Sequence, residues 1–164
     1  MKLFRIVVST LVLLLSLSSY AAATTLSDAQ ALSGLHSAKA VFLVNINNPM
    51  AVDHLVRVIG LTRKQFLQQH VTPHFIVVFI GPDVAFLTKD RRGISYMDER
   101  PIADLQKEIG NLSKLGIEFQ ACGVAMHGMD VQPNSLIPDV HPVESGFISV
   151  IAYQEKGYAL VPVY

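Results

Sequence analysis

Cys122 is the only cysteine in a chain of 164 residues. A thiol reacts as its thiolate, and unpaired backbone N–H groups at the start of a helix favour that anion. The surrounding run, Gly116-Ile117-Glu118-Phe119-Gln120-Ala121-Cys122-Gly123-Val124-Ala125-Met126-His127-Gly128, reads as a strand that ends on the sulfur, turns and enters a helix. Open α/β sheets carry their sites at the carboxyl ends of strands. Gly123 permits a tight turn there and leaves the sulfur approachable. Cys122 is therefore the candidate nucleophile. Free cysteine also ranks among the most buried residue types, so an inert core position stays open beside it.

Two neighbours extend the candidate site. His127 lies about one turn into a helix that starts at Gly123. An imidazolium facing the sulfur would favour thiolate, whereas an outward imidazole is a surface group. Cys122, Met126, His127 and Met129 fall within eight positions, and soft thiolate and thioether ligands suit Cu(I). Cys122 and Met126 share the i, i+4 spacing of one helix face, although methionines beside an apolar helix more often fill core. Asp130, His141 and Glu144 are polar groups that can return to the same end of a sheet, with no diagnostic spacing.

Several chemistries are excluded. With one cysteine there is no Cys-x-x-Cys pair and no dithiol cycle. No Gly-rich nucleotide loop and no Gly-x-Ser-x-Gly elbow occur. His36, His54, His70 and His74 are scattered without zinc spacing. No cofactor or bound metal is expected beyond the copper alternative.

The chain opens with Met1-Lys2-Leu3-Phe4-Arg5, continues through an apolar run from Ile6 to Leu17 and exits through Ala21-Ala22-Ala23. That order matches a secretory signal peptide over residues 1–23, cleaved after Ala23 and leaving 24–164 as one domain. The run is short for a membrane span, and no cysteine follows it to take a lipid. Export predicts a periplasmic protein free of the membrane after cleavage, in a compartment where cysteines usually pair. Losing Lys2 and Arg5 leaves 11 basic residues against 13 acidic, a net charge of −2, which argues against nucleic acid.

The elements that must position the sulfur follow from periodicity. Thr24 to Ser37 reads as a leader packing on the domain edge. Ala40–Asn45 and Pro73–Ile80 are apolar runs of the kind that form strands covered on both faces. Between them Asn48 and Pro49 start a helix carrying Val52, Leu55, Val56 and Ile59, with Gly60 placed to bend or restart it. Gly81-Pro82 stops the second strand, and Val84 to Leu87 is a short apolar segment of undecided type. Asp98 with Pro101 predicts a helix start ahead of Ile102, Leu105, Ile109 and Leu112. Ile117–Ala121 is the third strand, and Gln132–Pro142 a Pro-rich loop. Val143, Phe147 and Ile151 mark a last helix, closed at Lys156-Gly157 before a strand at Ala159–Pro162. Alternating strands and helices imply an open, mainly parallel sheet of four to five strands in a three-layer α/β sandwich.

Taken in order, several segments resemble the DsrE/DsrF-like sulfur-relay family of the exported, single-domain type. They are Lys39–Asn45, Phe75–Pro82 with Val84 and Leu87, Leu115–Cys122 with Met126, Val143–Gly146, and Gln154–Ala159. The Gly-Ile-Glu-Phe-x-Ala-Cys stretch is the most specific. The resemblance implies a flavodoxin-like fold assembled as a homotrimer or homohexamer. It implies a persulfide on Cys122, in a sulfurtransferase-like relay between donor and acceptor proteins or small thiols. The turn amides around Gly123 would stabilise the Cys–S–S⁻ anion, and Gly81 and Pro82 would shape the neighbouring strand-end loop. With Met126 and His127 these form the expected substrate surround. The alternative is an oligomeric binding module whose cysteine is buried packing.

Overall fold

The computed structural model describes residues 26–90 and 93–164; the expected signal peptide, residues 1–23, lies outside them. The chain divides into two units, Met1–Ala31 and Leu32–Tyr164. Of the first, residues 26–31 are described, and all are exposed. The second unit holds every named element.

Five strands form one wholly parallel sheet: β1 (Ser37–Val44), β2 (Thr72–Phe79), β3 (Glu118–Cys122), β4 (Val140–Val143) and β5 (Ala159–Val163), in the order β4-β3-β2-β1-β5. The chain steps outward from β1 to β4. It then crosses back to lay β5 on the far side of β1. The connecting helices are α1 (Pro49–Gln68), α2 (Tyr96–Ser113), α3 (Gly123–Gly128) and α4 (Gly146–Glu155).

The buried runs of β1 and β2 need cover on both faces, and the helices provide it. On one face Phe42, Val44, Phe75, Val77, Phe79 and Phe119 meet Val52, Val56 and Ile59 of α1 and Leu105, Ile109 and Leu112 of α2. Phe79 and Phe119 stack there at 6.5 Å between centroids. On the other face Val41, Leu43, Ile76 and Val78 meet Val150 of α4. Full burial of each such side chain stabilises by roughly 1.5–3 kcal/mol.

Several boundaries differ from the sequence expectation, each for a physical reason. Helix α1 runs unbroken through Gly60. A Cβ there would stand 2.8 Å from Leu112 Cδ2, so the glycine admits α2 closely rather than bending the chain. Helix α2 starts one turn early because Ser95 caps it, its hydroxyl accepting the Met97 N–H at 3.3 Å; Pro101 therefore lies inside the helix. Val84–Leu87 is part of a 3-10 turn over Pro82–Leu87. The Pro-rich loop hides β4, a strand of four residues containing Pro142, which an edge strand tolerates. Val143 ends that strand and is not part of the last helix. Phe147 and Ile151 were expected to mark the packed face of α4, yet they are 61% and 60% exposed, and Gly146 and Val150 are buried instead.

Candidate functional site

Cys122 is the last residue of β3 and the cap residue of α3. Its sulfur meets a backbone donor: the Gly146 N–H points at Cys122 Sγ with N···S 3.1 Å. Gly146 is the first residue of the ten-residue α4. The return crossover brings the positive end of that helix to the carboxyl end of β3. Sequence reasoning placed the amide cradle in the turn at Gly123. The structure puts the donor 24 residues beyond Cys122, on a different helix.

Both glycines are required by close approach. A Cβ on Gly146 would fall 2.5 Å from Ile80 Cγ2 and 3.1 Å from Cys122 Cβ and Val78 Cγ1. A Cβ on Gly123 would fall 2.9 Å from the carbonyl oxygens of Val143 and Glu144. Cys122 itself is 5% exposed. Beside it lies a cavity of about 400 Å³ lined by Gly123, Met126, His127, Pro142, Val143 and Glu144 among others.

The remaining predicted residues divide. His127 is exposed in the last turn of α3 and borders that cavity. Met126 touches the cavity too but is 2% exposed and packs in the core beneath α1 and α2. Cys122 turns the other way, towards α4, so the two sulfurs of the copper reading are not directed to one point. Among the described residues no group of three or more His, Cys, Asp and Glu could hold a metal ion. His141 and Glu144 are exposed, and Asp130 is exposed with a left-handed φ of 54°.

Gly81 and Pro82 stand in the turn that follows β2, next to a buried carboxylate that the sequence reading missed. Asp83 is fully buried; its carboxylate accepts the Ile46 N–H at 3.0 Å and the Gly81 N–H at 3.1 Å. It thereby joins the loops that leave β1 and β2. Burial raises its carboxyl to about 6, opposed by those backbone donors. The signal in the sequence is a carboxylate directly after Gly-Pro at a strand end, a residue type that caps its own turn. A further polar group was missed on the α4 face. Tyr153 donates to Glu118 at 3.1 Å, and burial first, then the Glu118 charge, pushes its phenol up to about 12.

Cys122 stands at the switch point of the sheet: α3, which follows β3, packs on the face of α1 and α2, whereas α4, which follows the adjacent β4, covers the opposite face. Residues 20–163 match the DsrE/DsrF-like family. The chain belongs to the DsrE/DsrF-like family. That family is associated in general with sulfur relay. A relative described as an uncharacterized protein of Aquifex aeolicus is 22% identical over 125 residues, which are 76% of this chain and 55% of the relative. The chain thus spans little more than half of that relative's length. Two solved structures share the fold. MTH1491 of Methanobacterium thermoautotrophicum, a protein of unknown function, has a TM-score of 0.61 at 18% identity, over 77% of this chain and 99% of that one. The ychN protein of E. coli has a TM-score of 0.54 at 13% identity, with the same coverage. At these identities the likeness establishes the α/β architecture of this DsrE/DsrF-like chain and nothing finer.

Proposed function

We propose that this protein is a periplasmic sulfur carrier that holds sulfane sulfur as a persulfide on Cys122. The observation that carries the reading is the Gly146 N–H aimed at Cys122 Sγ. A hydrogen bond to a charged group contributes about 1.5–3 kcal/mol. It therefore favours whichever sulfur species bears negative charge. Loading follows thiol–disulfide chemistry. The Cys122 thiolate attacks the outer sulfur of a donor R–S–SH, a new S–S bond forms, and R–S⁻ leaves with the electron pair of the bond that breaks. Delivery is the same exchange onto an acceptor thiolate, so neither step needs an outside oxidant or reductant. Donor and acceptor are partner proteins or small thiols, and the carrier needs no cofactor.

The test is intact-mass measurement after incubation with thiosulfate, polysulfide or a small persulfide. The expected result is a reductant-labile gain of about 32 Da, one sulfur atom, absent in Cys122→Ser. No gain with any donor refutes the relay reading.

The 5% exposure of Cys122 favours a second reading, an oligomeric binding module with an inert cysteine. Native thiol labelling separates the two. Labelling that stays slow until the protein unfolds supports the module. In either case the assembly is a homotrimer or homohexamer. Support comes from α4, which is apolar nearly all round and leaves Phe147, Ile148 and Ile151 exposed, as a helix buried between subunits would.

A further inference from the structure

Strand β3 presents Glu118, Gln120 and Cys122 to the face covered by α4, because alternate residues of a strand share a face. Helix α4 presents Gly146, Ser149, Val150 and Tyr153, which follow the i, i+3, i+4, i+7 stripe of a packed helix. The two rows meet rung by rung in opposite directions. Cys122 Sγ receives Gly146 N–H. The Ser149 hydroxyl donates to Gln120 Oε1. The Tyr153 hydroxyl donates to the Glu118 carboxylate at 3.1 and 3.2 Å. The Gln120 amide ties the last two rungs together: its Nε2 donates to Glu118 Oε1 at 2.5 Å and to the Tyr153 oxygen at 3.4 Å.

These bonds are mutually consistent in only one sense. Gln120 must turn its nitrogen to the carboxylate and its oxygen to Ser149, since a carboxylate only accepts. Gln120 is 5% exposed, so an unmade bond there would cost about 1–3 kcal/mol. Spacing makes the ladder a register lock. Two strand residues advance about 6.6 Å, and three to four helix residues advance about 4.5–6 Å. A slip of one helix residue, about 1.5 Å, would break both polar rungs and lift the Gly146 N–H off the sulfur. The apolar contact of Val150 with the sheet has no such preference, because hydrophobic burial is non-directional.

We propose that Gln120, Ser149, Tyr153 and Glu118 are positioning residues for the sulfur site, holding α4 in the register that seats the Gly146 N–H on Cys122 Sγ. The proposal rests on Cys122 being the reacting sulfur for its meaning in catalysis, but the register claim stands or falls by itself.

The experiment uses the mature chain labelled with ¹⁵N. The Gly146 amide proton shift is compared between wild type and Cys122→Ala, which defines the contribution of the sulfur. Ser149→Ala and Tyr153→Phe remove one rung each, and Ser149→Thr restores a hydroxyl. Both rung variants are expected to move the Gly146 resonance towards its Cys122→Ala position. They should also raise amide exchange at Gly146 about tenfold, a lost neutral hydrogen bond, while Ser149→Thr returns to wild type. Persulfide loading is measured on the same samples, with a several-fold fall expected in Ser149→Ala. A Gly146 resonance and exchange rate unmoved by both Ser149→Ala and Tyr153→Phe overturns the proposal, whether or not persulfide forms. Wild type that never loads sulfur, with the resonance moving as expected, refutes the relay reading and leaves the register lock intact.

Discussion

Gly146→Ala should disable the sulfur site by a route that a second substitution can reverse. The added Cβ would sit 2.5 Å from Ile80 Cγ2, with Val78 Cγ1 and Cys122 Cβ at 3.1 Å. Carbon atoms settle near 3.5–4.0 Å, so the start of α4 must retreat by about 1 Å. That carries the Gly146 nitrogen from 3.1 Å to about 4 Å from Sγ, where a hydrogen bond is lost. The lost bond to a charged sulfur is worth about 1.5–3 kcal/mol. About half of that reaches the loading rate, since the Brønsted slope of thiolate attack is near 0.4–0.5. The rate of persulfide loading should then fall by about three- to tenfold. Overpacking should also lower stability by about 1–3 kcal/mol. Loading is followed by intact mass against a small persulfide donor, and stability by urea unfolding. The worst clash is with one methyl of Ile80, so Gly146→Ala combined with Ile80→Ala should recover most of the loading rate, although removing Ile80 leaves stability low. Loading at the wild-type rate in the single variant, or a double variant as slow as the single, would refute the steric argument.

Asp83 makes stability depend on pH. Its carboxyl is raised on folding from 3.8 to about 6, so its contribution is full below about pH 4 and is lost as pH rises through about 6, roughly 3 kcal/mol in all. Urea midpoints of wild type should show that fall, and Asp83→Asn should flatten it; an unchanged profile would mean the buried charge is compensated. Gly123→Ala sets a Cβ 2.9 Å from two backbone oxygens of Val143 and Glu144, which no rotamer can relieve, so β4 and α3 must part at a cost of about 1–3 kcal/mol by thermal unfolding. Phe147→Glu together with Ile151→Glu places charge on the exposed apolar side of α4 and should convert the assembly to protomers in native mass spectrometry. A wild type already monomeric would remove the assembly proposal.

The layers were legible because the core obeys local periodicity. Val41–Val44 and Phe75–Phe79 are apolar on both faces of their strands, and Val52, Val56 and Ile59 repeat at helical spacing. Such patterns need no knowledge of what they pack against. The errors fall where a tertiary partner decided the local structure. Gly60 reads as a helix breaker, but its missing side chain admits Leu112. Pro142 reads as loop, but β4 needs ladder bonds on one side only. Phe147 and Ile151 read as the buried face of α4, since apolar residues ordinarily point inward; Gly146, with nothing to bury, is what actually meets the sheet.

That last inversion explains why Cys122 can be singled out in the sequence and the amide that meets it cannot. Sulfur chemistry is carried by residue type, and a single cysteine at a strand end stands out in any sequence. The group that would tune it is a backbone N–H, which every residue except proline possesses. Only geometry singles one out. Gly146 becomes special because α4 lies near enough to β3 for a methyl group to collide with Ile80. That closeness is held in turn by Ser149 on Gln120 and Tyr153 on Glu118. Glu118 and Gln120 are the polar members of an otherwise apolar strand, and their alternation with Phe119 and Ala121 gives it one polar face. A strand buried on both sides should not afford such a face unless the covering helix answers it with hydroxyls. The polar residues of β3 thus identify where α4 must dock, and so which backbone amide reaches Cys122.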